Sequence, residues 1–104
     1  MMNIQIIFRQ LWRKIVMMTG MIIQHKVKEY NAWRMVYDGH EESRTSAGIT
    51  NGKVFRRAED PNDLMVLQDV ADEGKARSWT ASEDLKSAMQ KAGVLGAPTI
   101  RFIA

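Results

Sequence analysis

Leu64-Met65-Val66-Leu67 sets four large apolar side chains in a row. In a β-strand neighbouring side chains point to opposite faces, so this run makes both faces of its strand apolar and calls for cover on both. A chain of 104 residues has room for one domain and little spare polypeptide for a second covering layer. One side must be packed by the domain's own helices, and the other by something else.

The segments around this run set the plan. Met21–Lys28 alternates as a strand, with Ile23, His25 and Val27 on one face and Ile22, Gln24 and Lys26 on the other. Tyr30 to about Ser46 reads as a helix closed by Ala47-Gly48, where glycine suits a left-handed cap. Ile49–Ala58 and Leu64–Val70 read as strands of a hairpin joined through Glu59-Asp60-Pro61-Asn62-Asp63. Asp72 can cap a second helix through about Thr80, and Ser82 restarts it through Ala92. Gly93 ends that helix, and Gly96-Ala97-Pro98 leads into a last strand, Thr99–Ile103.

The order β-α-β-β-α-β is the split βαβ plan of a ferredoxin-like α+β fold. Right-handed crossovers put the helices on one face of a four-stranded antiparallel sheet. The opposite face is then bare, yet carries Ile22 and half of the Leu64–Leu67 run. A domain of this size buries only about 60–65% of its unfolded surface, so the expected cover is a second copy of the chain, a homodimer through the sheet face. The alternative cover is the N-terminal segment.

Residues 1–20 differ from the rest and are set apart from a folded domain over 21–104. Ile4, Ile7, Phe8, Leu11, Ile15 and Met18 form a helical stripe, with Arg9, Arg13 and Lys14 largely off it. Such a basic amphipathic helix could rest on a membrane surface or on the protein itself. Alternatively it is an upstream extension of the reading frame, with the start at Met21. These three basic residues account for the whole net charge of +3. The remaining Lys/Arg and Asp/Glu balance, so the body shows no basic signature for nucleic acid. Cysteine is absent, which excludes disulfides and thiolate chemistry. The two histidines, His25 and His40, lack the spacing of a metal motif, and no metal is expected. No apolar run reaches the roughly 18 residues of a membrane span. A cytoplasmic location is expected, with no membrane or nucleic-acid partner.

Tyr30, Trp33, Tyr37, His40 and Arg44 recur at spacings of three and four, which puts them on one helical face. A core-facing stripe is normally filled with Leu, Val and Ile. This one pairs aromatic walls with polar handles, a composition that suits a pocket as well as a core. Trp79 on the second helix is expected to approach the same space. Each residue also has a plain reading: the tryptophans as core anchors, the histidines as packed or exposed side chains. Arg56, Arg57 and Arg101 raise the question of partners, for which Asp69 on the neighbouring strand is the candidate.

The run HKVKEYNAWRMVYDGHEESRTSAGITNGKVFRRAEDPNDLMVL, followed by KARSW and LKSAMQKAGVLGAPTIRF, resembles small bacterial proteins grouped with the antibiotic biosynthesis monooxygenases. The resemblance covers about 21–104. It implies a dimeric α+β barrel, in which two ferredoxin-like subunits join their sheets. For activity it implies several options, of which cofactor-independent oxygenation of a small aromatic or polyketide-like compound leads. That chemistry deprotonates an electron-rich substrate, whose anion passes an electron to O2, and it requires a base, dry aromatic walls and donors for the anion. His40 is the candidate base and Arg44 the anion-holding group, while Trp33, Tyr37 and Trp79 are candidate walls. A cyclase-like arrangement would instead use His25 with Tyr30 or Tyr37. Haem-degrading members typically pair a first-strand asparagine with a histidine on the second long helix. Here Gln24-His25 stands in the strand and no histidine follows His40, so no cofactor is expected. The rival from another class is a non-catalytic homodimer that binds a small ligand.

Overall fold

The computed structural model describes residues 19–104. The stripe expected over residues 1–20 lies outside them, except that Thr19 and Gly20 open the first strand. β1 (Thr19–Val27) leads to α1 (Tyr30–Gly39) and α2 (Glu41–Ser46), then to β2 (Ile49–Arg56) and β3 (Asp63–Val70). α3 (Glu73–Thr80), α4 (Glu83–Ala92) and β4 (Val94–Ile103) follow. The strands form one antiparallel sheet in the order β2-β3-β1-β4, the ferredoxin-like arrangement that the element order predicts.

Alternation along the two central strands decides which face is covered. Met21, Ile23, His25 and Val27 of β1 are buried with Leu64, Val66, Gln68 and Val70 of β3. Trp33 of α1, Ala76 and Trp79 of α3, and Leu85 and Ala92 of α4 close over them to form one core. The caps are those expected: Asp72 accepts from the Lys75 amide at 3.0 Å, Ser82 from the Leu85 amide at 3.2 Å, and Gly93 ends α4 with φ 76°.

The other face has no cover among the described residues. Ile22 stands opposite Leu67, and Phe55 opposite Met65, on the side away from the helices. Phe55, Met65 and Ile103 are 52%, 37% and 47% exposed, which makes this an apolar surface rather than a scatter of single residues.

Three departures from expectation have local causes. The helix expected from Tyr30 to Ser46 is broken at His40, whose φ of −100° and ψ of 10° leave the helical region and whose amide turns back to Tyr37 O at 3.2 Å. The weak helix former Gly39 precedes the break. β4 begins at Val94 rather than Thr99, because Gly96 takes φ 70° in a register irregularity opposite Gln24–Lys26 and Pro98 is tolerated on an edge strand. Asp69 serves none of the three arginines: β1 lies between it and Arg101, Arg56 donates to the Pro61 carbonyl, Arg57 pairs with Glu59 and Asp63, and Asp69 accepts instead from Asn51 Nδ2 at 2.8 Å.

Asn51 belongs to a second irregularity, between Thr50 and Lys53 of β2, and has φ 54°. A Cβ on the adjacent Gly52 would overlap the Tyr37 phenol, so the bulge makes room for that ring to reach the sheet. Gly52→Ala is expected to push Tyr37 off its seat and to destabilise the fold by about 1–3 kcal/mol, as overpacking does. Thermal unfolding of the variant checks this, and an unchanged Tm would mean that the ring is not held there.

Candidate active site

α1 carries a stacked aromatic wall. Tyr30 and Trp33 have ring centroids 5.9 Å apart, Trp33 and Tyr37 4.8 Å, and His25 of β1 meets the Trp33 ring edge-on at 5.8 Å. Guanidinium groups clamp both ends. Arg56 lies 3.8 Å over Tyr30, and Arg44 lies 3.7 Å over Tyr37 while donating from Nη1 to the Tyr37 carbonyl at 2.6 Å. Arg44 is 7% exposed and borders the cavity, but its visible engagement is with Tyr37.

At the far end of the wall the break between α1 and α2 turns His40 toward α4. Its Nε2 lies 2.9 Å from Asp84 Oδ2, in the first turn of α4. Ser43 Oγ donates to the same carboxylate oxygen at 2.5 Å and accepts from Trp79 Nε1 at 3.0 Å. These hydrogen bonds hold the Asp84 carboxyl below its usual range, the Ser43 bond contributing most. The carboxylate stays ionised and can receive an Nε2–H, which leaves Nδ1 as the nitrogen that Asp84 does not engage. The Trp79 ring sits 5.9 Å from the imidazole, fixed through Ser43.

Wall, histidine and sheet border a half-open cavity of about 50 Å³. Trp33, Tyr37 and His40 border it together with Trp79, Tyr30 does not, and His25 and Gln68 form its floor on the sheet. Leu85, Ala88 and Met89 of α4 supply the opposite wall. This space suits about four waters, against the roughly 150 Å³ that holds a benzene ring, so a ring enters only if that wall moves. Met89 is the side chain best able to yield.

His25 is 8% exposed, and neither of its nitrogens has a hydrogen-bond partner. Burial holds its pKa below the ordinary imidazole value, with Asp63 opposing, so the ring is neutral at pH 7. The unfolded chain takes up this proton below about pH 6.5 while the folded one resists it. The contribution to stability is therefore complete above that pH and is lost as the pH falls toward the depressed folded value. Tm is expected to drop between about pH 7 and 5, and His25→Phe to flatten that part of the profile. Calorimetry across the range checks it; an equally steep drop in the variant would assign the effect to other groups.

Asp84, Ser43 and Gln68 are site residues that sequence reasoning does not single out. Asp84 is legible only as a first-turn acid, since 44 residues separate it from His40. For Gln68 a signal exists, because a polar residue in the buried phase of an apolar strand rarely serves packing alone.

No family model matches the sequence, and no curated protein matches it. Solved structures do match. A conserved protein from Methanosarcina mazei superposes with a TM-score of 0.69 at 15% identity, over 88% of this chain and 96% of its own. A candidate antibiotic biosynthesis monooxygenase from Bordetella bronchiseptica gives 0.69 at 13% identity, over 84% and 95%. SnoaB, a cofactor-independent oxygenase from Streptomyces nogalater, gives 0.66 at 10% identity, over 84% and 91%. The chain has the fold of these antibiotic biosynthesis monooxygenase-like structures; at such identities the likeness is one of fold. Among the described residues no helix is long and apolar enough to cross a membrane, and no three of His, Asp and Glu converge as metal ligands.

Proposed function

We propose that residues 21–104 form a homodimeric, cytoplasmic, cofactor-independent oxygenase domain acting on a small phenolic or polyketide-like compound, with residues 1–20 as an extension. The observation that carries this reading is His40, which borders an aromatic cavity while Asp84 holds its Nε2. In that setting Nδ1 takes a proton from an acidic substrate, and the substrate anion passes an electron to O2. Recombination and loss of water give a ketone, so that RH2 and O2 become R=O and H2O. Trp33, Tyr37, Trp79 and His25 line the substrate's space, and Arg44 acts by keeping Tyr37 in place. The name of SnoaB, a protein of the same fold, lends support for the reaction class.

Oxygen uptake by the purified protein with a panel of small phenols, in chelator and without added cofactor, tests the reading. Uptake that needs an added metal or flavin, or none with any phenol, would remove it. A ligand-binding dimer without turnover is the second reading, favoured by a cavity of about 50 Å³, small for a reacting ring.

The dimer is supported by the uncovered face that holds Ile22, Phe55, Met65 and Leu67. Light scattering should give twice the chain mass for the full chain and the single chain mass for Leu67→Asp, which sets a carboxylate in the centre of that face. A monomeric parent protein would defeat this proposal.

A further inference from the structure

Two buried side chains on the cavity floor carry polar atoms that no other protein group among the described residues meets. His25 is 8% exposed with both ring nitrogens unbonded, and Gln68 is 5% exposed with Oε1 unbonded. The Gln68 amide nitrogen reaches only the Tyr37 hydroxyl, at 3.4 Å. Buried polar atoms are normally satisfied, so two such side chains lining one cavity mark a place where something other than the protein's own groups, a ligand or water, completes the hydrogen bonds. Both project from the helix-covered face of adjacent strands. Gln68 stands opposite Met21, and His25 lies four residues further along β1, about 13 Å at the rise of an extended strand.

The chemistry of these atoms selects the group that would satisfy them. A neutral imidazole offers one donor and one acceptor, and the free end of the Gln68 amide offers either, according to how the amide is turned. A hydroxyl both donates and accepts, so it can pair with whichever imidazole nitrogen and whichever end of the Gln68 amide faces the cavity. A carboxylate cannot donate, an ammonium cannot accept, and an ether only accepts. Asp63, whose charge acts on His25, adds repulsion against an anion at that end.

We infer that the cavity floor recognises a neutral molecule with a hydroxyl at each end of a flat apolar body, one end for His25 and the other for Gln68. The faces of Trp33 and Tyr37 are taken by one another, by Tyr30 and by Arg44, so it is the edges of these rings that border the space where that body lies. The inference rests on the reading above only in treating the cavity as ligand-bearing, and it does not require His40 to be a base. The body is admitted when Leu85 and Met89 yield.

Three probes test it on the full chain by calorimetry: a naphthalene with hydroxyls at opposite ends, its dimethyl ether, and the matching dicarboxylate. The diol should bind about tenfold or more tighter than the other two, the scale of one buried hydrogen bond. His25→Phe and Gln68→Leu should each lower diol affinity about tenfold while leaving the ether unaffected. Both variants should keep a single cooperative thermal transition, which shows them to be folded. Equal binding of the dicarboxylate, undiminished diol binding by the variants, or no diol binding by the folded parent protein overturns the inference. Diol binding without oxygen uptake from any phenol leaves this floor standing and removes the oxygenase reading. Uptake from phenols, with diol affinity unchanged in both variants, does the reverse.

Discussion

His40→Ala is expected to lower turnover of any phenolic substrate by about 10²–10⁴-fold, the range for loss of a positioned general base, while the protein stays folded. The fold survives because the imidazole, though its side chain is only 17% exposed, lies outside the buried core and bonds the Asp84 carboxylate, whose side chain is 61% exposed. Oxygen uptake measures the loss, and an unchanged dichroism spectrum shows that it is not unfolding. Asp84→Asn keeps the size of the neighbouring side chain but removes its charge. It should reduce turnover less, and nitrogen NMR of the His40 ring should show an altered tautomer. Full turnover by His40→Ala would remove this residue as the base and leave His25 as the remaining imidazole on the cavity.

Trp33→Ala is expected to cost about 3–5 kcal/mol, as for other large aromatic side chains deleted from cores. Trp33 is 3% exposed and touches three rings, those of Tyr30, Tyr37 and His25, so little can collapse into the space it leaves. For a domain of this length the loss lowers Tm by about 15 °C or more. Urea unfolding should show a lower midpoint at an unchanged slope. A loss under about 2 kcal/mol, below the range for such deletions, would mean that the wall repacks and is no rigid surface for a ligand.

Much of this architecture is legible in local pattern. Alternation in Met21–Lys28, the caps at Asp72 and Ser82, and the spacing of Tyr30, Trp33 and Tyr37 place each element and the wall of the cavity. What escapes depends on contacts remote in sequence or on backbone states that the pattern does not carry. Val94–Pro98 reads as a loop because Gly96 and Pro98 are turn residues, and only pairing with β1 makes it strand. His40 is legible as part of the helical face, but its partner is not, because only the packing of α4 on α1 brings Asp84 to it. Arg44 sits on the expected face, yet its stacking on Tyr37 follows from the turn at His40. The Asn51-Gly52 pair inside a strand is a bulge signal available to sequence reasoning.

The irregularities of β2 and β4 have a consequence for how copies of this chain can meet. These are the outermost strands of the sheet, and each is interrupted, one by Asn51 with φ 54° and the other by Gly96 with φ 70° followed by Pro98, which has no amide hydrogen. An unbroken border strand is a template onto which further strands add without limit, the route to fibres. Here neither border is regular along its whole length, the regular stretches running only over 53–56 and 99–103. The sticky surface that remains is a face, and two like faces pressed together exhaust one another. Association through that face, as proposed above, would be finite and self-terminating rather than open-ended.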